Sequence, residues 1–388
     1  MNMNRKHFFS KTAIAPSAIL LHCYVAITII LPNVNPNPSV AQATRTAQTN
    51  PLYSLRTHIW DISTLAYSPD GQTLVSGSFD ETIQIWNLKT RKLIRSLPGH
   101  KDGVNAVVIS PNGQTLVSAG GSAQPTTDKT INVWNLQQPQ LAVPQTKIQR
   151  KLQPKAKRQN SNNPLLTLTG HAAGITSLAL APDGQVIASA SYDKTIKLWN
   201  LKTGQLINTL TGHNSWVRSI AISPDGQTLA SGGGSLDPNT DTNVRLWNLQ
   251  TGKLIRTIPG NPDSTSFVGF SPDGQTLVLA SETAIKIYNT NSGELVRTIN
   301  APSDEGIKAV AVSPDGTIAT TSLDASVRLW NPSDGKLIQN LVLPANNQNL
   351  DRLYPSSISF SADGKTIAIG HGGGAYLGNF TIDIRSIK

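Results

Sequence analysis

A single cysteine, Cys23, in 388 residues leaves no possibility of an intrachain disulfide framework. No nucleophile elbow, HExxH helix, paired CxxC or Walker loop occurs anywhere in the chain, so no common class of enzyme announces itself. Acidic residues are missing from two stretches. Residues 1–43 carry Arg5, Lys6 and Lys11 with no acid, and residues 137–164 carry Lys147, Arg150, Lys151, Lys155, Lys157 and Arg158 with none. Those nine cations account for most of the formal net charge of +10 and leave +1 for the remainder. The high pI therefore reports two segments and not a basic binding surface. Aromatic residues are scarce, at 5 %, and none sits among the cations of 137–164 to stack on bases, so no nucleic-acid partner is expected.

What the chain has in abundance is one turn. Ser223-Pro224-Asp225-Gly226 returns, with small changes, at Ser68, Ser110, Ala181, Ser271, Ser313 and Ser361, at spacings of 42, 71, 42, 48, 42 and 48 residues. The spacing of 71 is one period of 42 with 29 residues inserted. Proline suits the second turn position and glycine tolerates positive φ. Before each turn runs an apolar segment such as Val104 to Ile109, read as strand a. Strand b follows the turn (Thr73 to Ser76), then strand c (Thr82 to Trp86), and a second reversal leads to strand d (Gln205 to Leu210). A period of roughly 40–45 residues with four short strands belongs to propeller blades and not to helical solenoids.

The Gly-His…Ser-Pro-Asp-Gly…Ser-x-Asp-x-Thr-Ile-x-x-Trp-Asn pattern resembles the WD40 repeat family, of the bacterial type, over about residues 52–388. The fold class expected is all-β: a seven-bladed β-propeller of four-stranded antiparallel blades, occupying 51–388. Two ends of the chain support closure of the ring on their own. Thr381 to Lys388 reads as a strand c without a strand d, and Pro51 to Arg56 as a strand d without its a, b and c. The N-terminal strand should therefore complete the last blade and remove an open edge.

The resemblance implies that His58, Asp80 and Trp86, His100, Asp128 and Trp134, His171, Asp193 and Trp199, and His213, Asp241 and Trp247 belong to buried hydrogen-bonded sets, each with a strand-b Ser or Thr. Such sets are structural, so these histidines and aspartates are not expected to be catalytic or metal-binding. Unit five has Asn261, Glu282 and Tyr288 in these places, and unit seven has Asn379 and Arg385. Asp237 to Asn243 spaces oxygen ligands as a calcium loop does, but lacks its glycine and its terminal acid, so no metal or other cofactor is expected.

Strand order fixes which loops share a face. The d–a and b–c connections lie on one side, which carries Trp60, Asp61, Asp102, Trp216, Arg218, Asp263, Glu305, Lys308, Arg352 and Tyr354. Trp60 and Trp216 are the tryptophans outside strand c, so they are either exposed anchors for a partner or packing between blades. The resemblance implies a non-catalytic protein–protein interaction scaffold, monomeric, with a protein partner at this face. The alternative is a propeller hydrolase or metal-dependent enzyme drawing on Asp61, Asp102, Asp263, Asp304, Glu305, Asp351 and His371, the last placed in the glycine-rich b–c loop Gly370 to Gly374. Residues 1–43 read as a signal peptide ending at Ala41-Gln42-Ala43, with 44–50 a linker and a membrane anchor over 13–31 as the alternative. Export to the periplasm, the cell envelope or the extracellular space follows. The Gln-, Pro- and Lys-rich 137–164 reads as a disordered basic loop, either merely solvated or attached to anionic envelope polymer or lipid.

Overall fold

Alternation of apolar and small polar residues between Gly- and Asp-containing turns gives twenty-eight strands and no α-helix among the described residues. The structure, a computed structural model, describes residues 51–124, 127–137, 162–234, 240–261, 264–300, 306–343, 353–373 and 380–387. The strands form seven four-stranded antiparallel sheets. Blade three is representative, with strands Ile175–Leu180, Val186–Ser191, Ile196–Asn200 and Leu206–Leu210 side by side in chain order.

Blade seven breaks that order. Its strands a, b and c are Tyr354–Phe360, Thr366–Gly372 and Thr381–Ser386, and its strand d is the N-terminal Tyr53–Arg56. The register runs from Tyr53 opposite Ile384 to Arg56 opposite Thr381. Flanking bonds extend the pairing, with Thr57 N donating to Phe380 O at 3.0 Å and Phe380 N to His58 O at 2.8 Å. Ser54 Oγ adds a 2.6 Å bond to the buried Asp383 carboxylate. The expected closure is the one observed.

Each strand a lies against the strands a of the blades before and after it, and strand a of blade one (Ile62–Tyr67) lies against that of blade seven, so the inner ring has no end. The apolar core is likewise distributed over the seams. Between blades one and two, for example, Val75, Ile83, Ile85 and Leu97 meet Val104, Val107, Leu116 and Trp134. The other six clusters each fill one of the remaining seams. At about 25 cal/mol per Å² of apolar area withdrawn from water, blade-to-blade contact stabilises each otherwise bare sheet.

The recurring turn is a self-satisfied unit. Ser68 Oγ donates to Asp70 Oδ1 at 2.5 Å and accepts from Thr73 N at 2.9 Å, and Gln72 N donates to Asp70 Oδ1 at 3.0 Å. Gly71 closes it at φ 66°, in the left-handed region that favours glycine. The bond from Ser68, then that from Gln72, holds the Asp70 carboxyl below its ordinary range.

One placement differs from the sequence expectation. His371 and Gly370 are not in a b–c loop but in strand b of blade seven, where the a–b pairing runs on to Tyr354 opposite Gly372. His371 is buried, with Nε2 at 3.3 Å from Asp383 Oδ2. The leader and linker, 1–50, and the basic residues Lys147, Arg150, Lys151, Lys155, Lys157 and Arg158 lie outside the described residues.

Candidate partner-binding face

The loops of the d–a and b–c side are tied to one another by carboxylates in the b–c turns. In blade one, Asp80 Oδ2 accepts from Ile59 N of the d–a loop at 3.1 Å and lies 2.9 Å from His58 Nδ1, while its Oδ1 accepts from Thr82 N at 3.0 Å. His58 Nε2 reaches Ser76 Oγ on strand b at 2.9 Å. Blade three repeats this with His171, Asp193 and Ser189, and adds Trp199 Nε1 donating to Ser189 Oγ at 2.8 Å. In blade two His100 contacts Asp128 at 3.1 Å and Ser118 at 2.9 Å, and Trp134 donates to Ser118 at 2.9 Å. Trp86 of blade one is buried, but its Nε1 has no partner among the described residues. Burial alone would raise the carboxyls of Asp80, Asp128 and Asp193; the bonds from histidine and threonine overcome it, and Asp128 is held down at about 2.

Blade four is built differently. Arg245, four residues past Asp241 on strand c, places its guanidinium between the two members of the set. It lies 2.8 Å from Asp241 Oδ2 and 2.9 Å from His213 Nδ1, leaving His213 and Asp241 3.8 Å apart. A guanidinium only donates, so His213 Nδ1 accepts, and the proton sits on Nε2, 2.8 Å from Ser231 Oγ. Burial first, and then the Arg245 charge, push His213 down to about 4. In blade six, Arg328 contacts Asp324 in the corresponding way with no histidine present. In blade five, Tyr288 donates to Pro259 O at 2.9 Å, and the buried Asn261 side chain finds no partner among the described residues.

On this frame the candidate face is uneven. Trp60 is 49 % exposed and its neighbour Ile59 is 64 % exposed, forming an apolar pair at the blade-one d–a loop. Trp216 is half-buried, edge-on to Tyr192 of blade three with ring centres 5.2 Å apart, and the Arg218 guanidinium lies 5.7 Å from its ring centre. Trp216 therefore packs across a seam and keeps part of its surface free, while Trp60 is half exposed. Asp61 accepts from Tyr354 Oη at 2.9 Å and from Gly373 N at 3.0 Å, which holds the first d–a loop to blade seven. Asp102, at φ 68°, is half-buried, with its N donating to Glu81 Oε1 at 3.3 Å. Lys308 Nζ is 3.9 Å from Glu282 Oε1. Asp263, Glu305 and Arg352, along with Asp304, Asp351, Asn379 and Asp237, lie outside the described residues. Among the described residues no group of three or more His, Cys, Asp or Glu is placed to hold a metal ion. Sequence reasoning missed Ile59 and Tyr192 on this face. Ile59 adjoins Trp60 in the chain, but Tyr192 reaches Trp216 only through the fold.

The family model of the WD domain, G-beta repeat, matches residues 49–87, 91–135, 162–200, 204–248 and 293–331. Each matched repeat runs from a strand d into strands a to c of the next blade. The units without a match are the a–c strands of blades five and seven, where Asn261, Tyr288 and Arg385 replace the usual residues. Mitochondrial division protein 1 of Schizosaccharomyces pombe is 30 % identical over 164 residues, 41 % of this chain and 23 % of that protein. Anaphase-promoting complex subunit cdh1 of Dictyostelium discoideum is 28 % identical over 39 % of this chain and 17 % of its own length. Nuclear distribution protein nudF 1 of Talaromyces marneffei is 28 % identical over 39 % of this chain and 28 % of its own. This chain thus spans less than a third of each of these relatives.

Proposed function

The chain belongs to the WD40 family, and on that premise we propose that it is a non-catalytic scaffold that holds a protein partner on the d–a/b–c face. The carrying observation is the pairing of a rigid frame with an uneven surface. Buried carboxylate sets pin the loops, while Trp60 stands half exposed and Trp216 offers a partly free face beside Arg218. Aromatic and arginine side chains on preorganised loops are the residues from which interface hot spots are made. Relatives named for an anaphase-promoting complex subunit and for nuclear distribution are in keeping with assembly by protein contact. The reading of 1–43 as an export leader puts the partner in the periplasm or envelope, and the basic segment 147–158 gives a second, electrostatic attachment to anionic envelope polymer or lipid.

Capture from an envelope fraction on immobilised protein tests this reading. A specific partner is expected whose retention falls at least about tenfold with Trp60→Ala or Trp216→Ala. Equal retention by both variants, with unchanged melting, would remove the face from consideration.

A further inference from the structure

The inner wall of the ring carries a belt of side chains at one level. In five blades the a–b register slips around the second residue of strand a, as between Val217 and Ser219 or between Ile307 and Ala309, and in blade seven it slips around the third, Ser356. The slip leaves that residue unpaired and re-aims its side chain. In blades one, two, three and seven the re-aimed residue bonds to the first carbonyl of the next blade's strand a. Ser63 Oγ donates to Val104 O, Asn105 Nδ2 to Ile175 O at 2.8 Å, Thr176 Oγ1 to Val217 O at 2.5 Å and Ser356 Oγ to Ile62 O at 2.8 Å. In blade five, Ser266 Oγ donates to Ala280 O at 3.1 Å. These neutral donors are spent on the ring itself.

The remaining two positions are cations. Arg218 spends Nε on Gly234 O at 3.0 Å, which orients the guanidinium beside Trp216 and leaves its terminal amino groups without a carboxylate among the described residues. Among the described residues the one carboxylate near Lys308 is Glu282, 3.9 Å away on a side chain that is 68 % exposed. The belt thus holds two positive charges and no negative one.

We propose that this belt is an anchor for an acidic segment of the protein partner. The inference rests on the scaffold reading given above. A partner carboxylate takes the two terminal amino groups of Arg218 as a bidentate acceptor, its aliphatic stem lies on the Trp216–Tyr192 pair, and a second acid reaches Lys308. A planar guanidinium already fixed through Nε loses little freedom on binding, which favours a planar carboxylate.

Fluorescein-labelled, end-capped hexaglutamate is the probe, titrated into the full chain and followed by anisotropy. Saturable binding is expected, weakened about tenfold by Arg218→Gln and about threefold by Lys308→Gln, with capped hexaglutamine failing to bind. A variant with Lys147, Arg150, Lys151, Lys155, Lys157 and Arg158 all changed to Gln should keep the affinity. Loss of binding in that variant would assign the interaction to the basic segment and overturn the proposal. So would equal affinity in Arg218→Gln, or hexaglutamate that fails to bind while inorganic phosphate quenches Trp216. If Arg218→Gln still captures the envelope partner and Trp216→Ala does not, the scaffold reading stands and the acidic anchor falls.

Discussion

Acid should destabilise this ring partly through one histidine. His213 is 7 % exposed and ionises at about 4 instead of its ordinary 6.5, first because of burial and then because of Arg245. A histidine depressed in this way contributes nothing unfavourable above 6.5, where it is neutral whether the chain is folded or not. As the pH falls below 6.5 the unfolded chain takes up a proton that the folded chain refuses, and stability is lost until the pH reaches about 4. Each unit of difference is worth about 1.4 kcal/mol, so at about pH 5 the loss from His213 alone is about 2 kcal/mol. Urea unfolding at about pH 7.5 and about pH 5, on wild type and His213→Gln, isolates that part from every other titration in the chain. The wild type should lose about 2 kcal/mol more than the variant over this interval. Arg245→Leu should also blunt the acid sensitivity, because Asp241 then becomes free to accept from His213 Nδ1 as its counterparts do in blades one to three. Equal losses in wild type and His213→Gln would refute the tautomer assignment and the role given to Arg245.

Two further outcomes follow from the seams. Ser54→Ala removes the bond from the closing strand to Asp383 and should cost about 1 kcal/mol, with faster hydrogen exchange confined to Tyr53–Arg56 and its partner strand. Burial alone would raise Asp383, but His371, Ser54 and Arg385 hold it below its ordinary value, so its contribution is present above about pH 4 and is lost as the pH falls through its folded value. Gly252→Ala should destabilise by roughly 1–2 kcal/mol: Gly252 sits at φ 69°, and a β-carbon there would come within 2.1 Å of Asn208 Nδ2 of the preceding blade. Asn208→Ala in the same chain should recover part of that loss in thermal melting.

The fold was legible because its determinants are local and repeated. The Ser-Pro-Asp-Gly turn satisfies its own polar groups, so it marks the a–b reversal wherever it stands, and the unmatched end segments could only pair with each other. The candidate site was less legible because its contacts join residues whose separation in the chain is not periodic. Nothing in the spacing of Asp241 and Arg245 says that the guanidinium enters between His213 and its carboxylate. The edge contact of Tyr192 with Trp216 crosses a seam between blades. His371 was misplaced for a similar reason. Its flanking glycines read as a loop, but the longer a–b pairing of blade seven draws them into strand b, where Asp383, Arg385 and Ser54 replace the usual set.

The two faces of the ring differ in what they could tell a partner. On the a–b side the turn is nearly the same in every blade, and its aspartates, such as Asp70, Asp225, Asp273 and Asp315, are each held by the preceding serine and the following backbone N–H. A partner reading those turns alone would meet groups that repeat from blade to blade, and they would favour no one rotation about the ring axis. On the d–a/b–c side the described residues of four blades present different groups: Ile59 and Trp60 in the first, Tyr192 in the third, Trp216 and Arg218 in the fourth, Lys308 with Glu282 in the sixth. Specificity is a difference between one docking pose and the others, and it needs groups that are right in one rotation and wrong in the rest. The differing loops of the d–a/b–c side supply such groups where the a–b turns do not. The buried sets make this possible by carrying loop stability on His, Asp and Ser inside the blades, which leaves the outward residues of the same loops free to diverge.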